Sequence, residues 1–352
     1  MNSHFNTIIQ ADDDERRGLF LAAASRLGTA VQNVEKDFWV CWTLDALFNG
    51  LPPNSPRLLF KGGTSLSKAF GLISRFSEDI DITVFRQDIG EPIEATYLDA
   101  LSGRQRRIHL DRIRTACHQY ITERMAPQLY ETAARIMPAH RCRLDLDPHD
   151  PDHQTLLFWY PAVTVTTNDY IRSAVKIEAG AKSALDPHEA ATITPYIADD
   201  LPGLDMSVRN VTTVKPERTF WDKIIILHGL RQWHDRRGQL RQGGQRVSRH
   251  YYDLFRLLQH PDAVIWQKNH GLAQDCTRHA RLFFGSADLG LDTAAHGTFT
   301  LALSHPMREA LTRDYTAMSG MIFGTLPAID DVIHAIETLE SRLNAPEEHV
   351  SR

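Results

Sequence analysis

The sequence predicts an α+β fold, in which a mixed sheet carries helices and a helical C-terminal region follows. Three observations predict it. Residues 58–85, LLFKGGTSLSKAFGLISRFSEDIDITVF, read as a strand at 58–61, a Gly-Gly turn, an amphipathic helix from about 65 to 73, and a second strand. Residues 155–167, 173–179 and 206–214 are short runs rich in β-branched and aromatic residues, which favour strands. From Pro216 onward the apolar residues recur at helical spacing instead. The chain accordingly divides into an N-terminal helical segment (1–57), a core (58–215) with a helical insertion at about 98–137, and a helical C-terminal domain (216–352).

Taken in order, residues 1–17 are polar and acidic and read as a loose arm. Two helical segments follow between Gly18 and Asn49, the first ending at Gly28, a residue suited to the left-handed cap of a helix. Phe38, Trp39 and Trp42 read as core. Glu35, Lys36 and Asp37 read as the exposed first turn of the second helix, where acids suit the positive end of the dipole. Pro52, Pro53 and Pro56 stiffen the connection into the strand at Leu58.

The stretch 58–85 carries the chemistry. Side chains at i and i+2 on a strand share a face, so Asp79 and Asp81 project together while Ile80 and Ile82 point to a core. Two adjacent carboxylates repel unless a cation sits between them, and oxygen donors in pairs suit Mg²⁺. Gly62 and Gly63 let backbone N–H groups approach an anion, and the hydroxyls of Thr64 and Ser65 stand beside them. Loop geometry alone explains a Gly-Gly turn, and a solvated edge alone explains Asp-x-Asp. Their combination, in this order, is the pattern of polymerase-β-like nucleotidyltransferases.

Farther along, residues 98–137 read as helical and carry Arg104, Arg106, Arg107, Arg112, Arg114 and Arg124. They form either a solvated face or a surface for RNA phosphates. Asp145 and Asp147 make a second Asp-x-Asp, but the flanking Pro and His residues place it at a strand end or loop rather than at a metal. Within 173–179, Lys176 and Glu178 share a face. Glu178 is either a third carboxylate beside the aspartates or half of an edge-strand Lys/Glu pair.

The helix from Pro216 has an apolar stripe at Phe220, Ile224 and Leu227, widened by Trp221, Ile225 and Ile226. Lys223 is thereby nearly surrounded by protein and needs an anionic partner, either bound triphosphate or an aspartate. Lys61, Lys68, Lys176, Lys182, Lys215 and Lys223 all fall in these segments, and Lys61, Lys176 and Lys223 are the candidates for contact with nucleotide phosphates. Residues 231–247, with Arg231, Arg236, Arg237, Arg241 and Arg246, read as a Gly-rich basic loop, either a solvated connection or a grip on polyanion. In the following helix Asp253 either pairs with Arg249 or orients Lys223.

Composition narrows the class. A net charge of −5 and a 42% hydrophobic content describe a soluble globular chain whose nucleic-acid contacts come from local patches. The four cysteines show no C-x-x-C pairing, which argues against a zinc site or disulfide framework and for a reducing cytoplasm. No run is long enough to span a bilayer, so no membrane partner is expected.

Four signatures in order, KGGTSLSKAFGLISRFSEDIDI, VKIEAGAKS, PERTFWDKIIILH and SRHYYDL, resemble the AbiEii/AbiGii family of abortive-infection toxin nucleotidyltransferases of type IV toxin–antitoxin systems. The similarity runs over about two-thirds of the chain. It implies a polymerase-β-like nucleotidyltransferase core, Mg²⁺ (Mn²⁺ as a substitute), an NTP donor, an RNA acceptor such as the tRNA 3′ end, and a cognate antitoxin protein. Carried residue by residue, Gly62, Gly63 and Ser65 match the nucleotide motif and Asp79 and Asp81 the metal pair. Lys223 and Asp253 match the lysine and aspartate of the third and fourth motifs, and Glu178 lies in the second. Lys182 stands where many relatives have Arg, and Asp222 where Glu is common. Transfer to a small molecule or a protein, or a silent nucleotide-binding module, are the alternative readings.

Overall fold

The Gly-Gly stretch lies at the centre of a seven-stranded sheet in the computed structural model, which describes residues 1–77, 79–164, 173–241 and 247–346. The helices are α1 (His4–Ile9), α2 (Asp13–Leu27), α3 (Val31–Asn49), α4 (Gly62–Lys68), α5 (Ala95–Asp99), α6 (Gly103–Tyr120), α7 (Ala126–Ala134), α8 (Pro216–Arg237), α9 (Ser248–Leu258), α10 (Ala263–Gln267), α11 (His270–Phe284), α12 (His305–Ala317) and α13 (Ile329–Leu343). The strands are β1 (Leu58–Lys61), β2 (Asp79–Val84), β3 (Arg143–Leu146), β4 (Thr155–Trp159), β5 (Ala174–Gly180), β6 (His188–Ile193) and β7 (Val208–Val214).

The sheet order is β3-β4-β5-β2-β1-β7-β6, and it is mixed. β1 runs antiparallel to β2 and parallel to β7, β2 runs parallel to β5, and the outer pairs are antiparallel. Two compact units result. The first comprises Met1–Gly71, Phe76–Glu94 and Ala100–Lys215, and holds the whole sheet. The second comprises Leu72–Arg75, Ala95–Asp99 and Pro216–Arg352, and is helical. No helix is long and apolar enough to cross a membrane among the described residues.

In the first unit the core is built on α3. Trp39 stacks on Tyr160 and Trp42 on Phe158, each at 5.3 Å between ring centroids, which seats the helix on the β4 side of the sheet. Burying rings of this size contributes roughly 1.5–3 kcal/mol each. The expected exposed turn is the reverse of what forms: Glu35, Lys36 and Asp37 are all buried. Partners distant in sequence make this possible. The Glu35 carboxylate accepts the Val163 N–H (2.7 Å) and the Thr164 N–H (3.0 Å), and Asp37 pairs with Lys68. Residues 1–17 are likewise no arm. α1 buries Phe5, Ile8 and Ile9, and Asp12 caps α2 by accepting the Glu15 N–H.

Other boundaries also move. The strand at 155–167 ends at Trp159, and residues 165–167 lie outside the described ones. β3 and β6 occupy the two edges of the sheet; β3 forms where a strand end or loop is expected, and β6 is not expected as a strand. β6, His-Glu-Ala-Ala-Thr-Ile, carries no strand-like apolar alternation, while β3 does alternate, Arg-Leu-Asp-Leu, but over four residues only and within a turn-rich stretch. The insertion at 98–137 is helical over most of its length, with a π-helical turn at Ile121–Met125 joining α6 to α7.

In the second unit α8 extends through Arg237, so residues 231–237 belong to a helix rather than a loop. Arg231 pairs with Asp235 one turn on, and Gly238 at φ +68 breaks the helix. Phe220, Trp221, Ile224, Ile225 and Leu227 are buried, whereas Ile226 is exposed.

Candidate active site

In the first unit, alternation on β2 places Ile80 and Ile82 in the core and leaves Asp79 and Asp81 half-buried on the other face. Register then brings further charge beside them. Asp81 stands opposite Lys61 of β1 and opposite Glu178 of β5, while Asp79 stands opposite Lys176. Thr155 of β4 faces Glu178 in turn. One polar row thus crosses four strands, Lys61–Asp81–Glu178–Thr155. It remains reachable from solvent, with 25% of the Asp81 side chain and 41% of Glu178 exposed.

The row is neutralised from within. Lys176 Nζ lies 2.5 Å from Glu178 Oε1 and 3.9 Å from Asp147 Oδ2, and Lys61 Nζ lies 3.9 Å from Asp81 Oδ1. Burial pulls the Lys176 ammonium toward its neutral form. Contact with Glu178 and the charges of Asp79 and Asp147 outweigh that and hold its pKa above the ordinary value.

Gly62 is required by this geometry twice over. Its φ is +82, and a Cβ placed on it would fall 2.1 Å from Asp81 Oδ2. The Asp81 carboxylate therefore lies directly over the Gly62 backbone. α4 begins at Gly62 itself, three residues earlier than expected, and ends at Lys68 before Gly71, which adopts φ +63. The Thr64 and Ser65 hydroxyls turn inward: Thr64 donates to the Asp79 carbonyl and is within 2.7 Å of Ser77 Oγ, and Ser65 donates to the Gly62 carbonyl (2.8 Å). Both side chains shape the loop against β2.

The far end of α4 is anchored in the interior. Lys68 Nζ lies 2.7 Å from Asp37 Oδ1 and 3.7 Å from the centre of the Tyr196 ring, with both charged side chains only 4% exposed. Asp37 also accepts the Tyr196 N–H at 2.6 Å. Burial disfavours the Lys68 cation, but Asp37 holds it protonated with a raised pKa.

In the second unit Lys223 is buried as expected, and its partner is Asp253, at 2.6 Å. Asp253 is fully buried. It also accepts two hydrogen bonds from Arg75, 2.7 Å from Nε and 2.9 Å from Nη2, rather than pairing with Arg249. Residues 74 and 75 are held by Phe323, whose N–H donates to the Ser74 carbonyl (2.9 Å), and by a bridge between Arg75 and Ile322. Lys223 Nζ also lies 3.3 Å from His250 Nδ1. Burial alone would raise the Asp253 carboxyl, yet Arg75 and Lys223 hold it well below the usual carboxylate range. Burial lowers Lys223, which Asp253 offsets only in part, and it keeps His250 neutral with help from the charges of Lys223 and Arg249. Two cations thus share one buried carboxylate, leaving a net positive charge.

A sheet face with paired aspartates over a glycine-bearing loop has the groups that phosphoryl and nucleotidyl transfer call for. Residues 45–340 match the family described as "Nucleotidyl transferase AbiEii toxin, Type IV TA system". The chain belongs to this family. It is therefore a nucleotidyltransferase toxin of a toxin–antitoxin system, with an NTP as substrate and an antitoxin as partner. Among solved structures it is similar to MenT4, a nucleotidyltransferase toxin from Mycobacterium tuberculosis H37Rv, at 13% identity and a TM-score of 0.44, over 93% of this chain and 99% of that one. No curated protein matches.

AbiEii enzymes, as nucleotidyltransferases, work with a divalent metal. Asp79, Asp81 and Glu178 offer the hard oxygen donors Mg²⁺ takes, on one face and in register. Among the described residues no three such side chains already converge as a metal cage, and the Lys176 ammonium stands among the carboxylates. In chemical kind, though not in their present arrangement, the donors fit the ion.

Two residues of this AbiEii chain escaped the sequence reading. Arg75 has no local signal, because its partner Asp253 lies 178 residues away. Asp147 carried a signal, the second Asp-x-Asp, but only the pairing of β3 with β4 brings it to Lys176. Asp145 points elsewhere and pairs with Arg143 at 2.6 Å.

Proposed function

We propose that this AbiEii toxin transfers a nucleoside monophosphate from an NTP to the 3′ end of an RNA, with tRNA as the acceptor and arrest of translation as the consequence, and that the reaction depends on Mg²⁺. The observation that carries the reading is the register Lys61–Asp81–Glu178 beside Asp79, with the Asp81 carboxylate over Gly62.

In this reading the acceptor hydroxyl attacks the α-phosphorus, a new P–O bond forms, and pyrophosphate leaves. Mg²⁺, held by Asp79 and Asp81, supplies charge neutralisation when bound. Glu178 receives the proton of the attacking hydroxyl or serves as a third oxygen ligand. The backbone at Gly62 and Gly63, with Lys61 and Lys176, holds phosphate oxygens, while Thr64 and Ser65 act by fixing the loop that presents that backbone. Lys223 neutralises charge on the triphosphate, set by Asp253. The net positive charge of the Arg75–Lys223–Asp253 cluster supports that role.

For the RNA, α6 is favoured over residues 231–247. Arg104, Arg107 and Arg112 are exposed, with no ion pair engaging them among the described residues. Arg231 and Arg237, by contrast, pair with Asp235 and Asp288. Arg246 lies outside the described residues.

The test is incubation of the purified protein with total RNA and each α-labelled NTP, followed by sizing of the product. The α label should enter tRNA-sized RNA and the γ label should not. Removing one carboxylate, Asp81→Ala, should lower the rate by about 10²-fold or more. Undiminished labelling by Asp81→Ala would refute the assignment.

A further inference from the structure

Lys176 has no role in a plain metal site, yet it occupies the middle of this one. Alternation on β5 puts it on the same face as Glu178, and register puts it opposite Asp79. Its ammonium is 2.5 Å from Glu178 and 3.9 Å from Asp147, and it feels the charge of Asp79. Asp147 is not an ordinary surface acid. Its side chain is 8% exposed, and its other oxygen accepts the His149 N–H at 3.0 Å, which fixes the carboxylate in place.

We propose that Lys176 is a resident counter-cation of the carboxylate row, and that a divalent ion binds the row by displacing its ammonium from Glu178 toward Asp147. The inference rests on the metal-dependent reading above. It goes beyond that reading by giving Lys176 a task before substrate arrives and by giving Asp147 a part in it.

Charge supports the exchange. Asp79, Asp81, Glu178 and Asp147 are four carboxylates, and Lys61 and Lys176 are two ammonium groups, so the formal balance is minus two, the complement of one divalent ion. An ammonium and a divalent ion cannot share the same oxygens of Glu178, because like charges at contact distance repel strongly away from bulk water. Lysine suits such a post. It is a compact charge on a flexible four-carbon stem, whereas an arginine forked onto a carboxylate would be held more rigidly. The 3.9 Å separation from Asp147 is too long for a hydrogen bond and short enough for the ammonium to close by rotation of its stem. Once displaced from Glu178, the same ammonium is available to the phosphates of the incoming nucleotide, which reconciles its two placements.

Two measurements on the full-length protein without nucleotide test this. In the first, Mn²⁺ binding is followed by the EPR signal of the free ion for the wild type, Lys176→Met, Lys176→Arg and Asp81→Ala. With the competing charge gone, Lys176→Met should bind Mn²⁺ about tenfold more tightly, and Lys176→Arg should return to the wild-type value or weaker. An unchanged or weaker affinity in Lys176→Met overturns the proposal while leaving metal binding itself intact. Equal Mn²⁺ affinity in the wild type and Asp81→Ala overturns the metal reading and the proposal with it.

The second measurement needs no variant. Brief acetylation with acetic anhydride, read by mass spectrometry, should label Lys176 to an extent that Mg²⁺ changes several-fold, because the ammonium exchanges the half-exposed Glu178 for the nearly buried Asp147. A merely structural Lys176–Glu178 pair would show no such change. Labelling unaffected by Mg²⁺ overturns displacement.

Discussion

At the scale of single residues, the site shows how little freedom its chemistry leaves. Gly62 must hold φ +82 with a carboxylate oxygen where a methyl would go. In Gly62→Ala the loop or Asp81 has to move by an ångström or more, and misplacement of that size costs on the order of 100-fold in rate. The expected outcome is a folded protein whose nucleotide transfer falls about that far, measured by kcat/KM alongside a melting curve. Asp253 illustrates the opposite constraint, a buried charge between two cations. Asp253→Asn strands Arg75 and Lys223 together in the interior and should cost roughly 3–5 kcal/mol in chemical denaturation. The pH dependence has a definite sign. The folded pKa of Asp253 lies below its ordinary value of 3.8, so its contribution is fully present above about pH 4–5 and is lost as pH falls below that value toward the folded one. Between pH 5 and 2 the wild type should lose stability more steeply than Asp253→Asn, as read by denaturant midpoints at each pH.

At the scale of elements, α4 is short, seven residues, and its stability comes from what its ends are tied to. Gly62 at one end lies under Asp81, and Lys68 at the other is locked to Asp37 and Tyr196. Lys68→Met leaves Asp37 buried without its cation, an expected loss of roughly 3–5 kcal/mol. Lys68→Met with Asp37→Asn removes both charges and should recover much of that loss, so a double-mutant cycle by chemical denaturation reports the coupling directly. Recovery of stability without recovery of NTP affinity would show that the anchor also places the Gly62–Gly63 backbone. These ties explain which elements were legible in the sequence. β1, β2, β5 and β7 announce themselves by apolar residues on a buried face. The α3 charges Glu35 and Asp37 do not, because their burial depends on Val163, Thr164 and Lys68, which no local pattern connects to them. β6 fails for the converse reason: an edge strand can be nearly free of apolar alternation and still pair through its backbone. β3 alternates, but its four residues are too few to stand out from the turn residues around them.

At the scale of the whole molecule, the shared face of Asp79 and Asp81 was readable because strand alternation is a short-range rule. Arg75 and the Asp147–Lys176 contact were not, because each needs the full topology. The same scale governs how an acidic protein would hold the RNA acceptor proposed above. With a net charge of −5, attraction to a polyanion cannot be a property of the surface at large. It has to come from a patch, and the exposed arginines of α6 are one that acids do not cancel: Arg114 is drawn to Asp111 and Asp152, whereas Arg104, Arg107 and Arg112 face solvent. The helix is fixed to the core of its unit through Gln154, whose amide donates to the Arg114 carbonyl at 2.8 Å, so the patch is carried on a rigid element. Reversing all three charges (Arg104→Glu, Arg107→Glu and Arg112→Glu) should raise the KM for RNA by about tenfold or more and leave the KM for NTP unchanged. The salt dependence gives the sharper test. For every RNA phosphate that an arginine no longer neutralises, the plot of log affinity against log salt should flatten by about 0.7–0.9. An unaltered slope would place the RNA on another part of the surface, whereas a flattened slope with an intact NTP site would separate the grip on the acceptor from the chemistry performed on it.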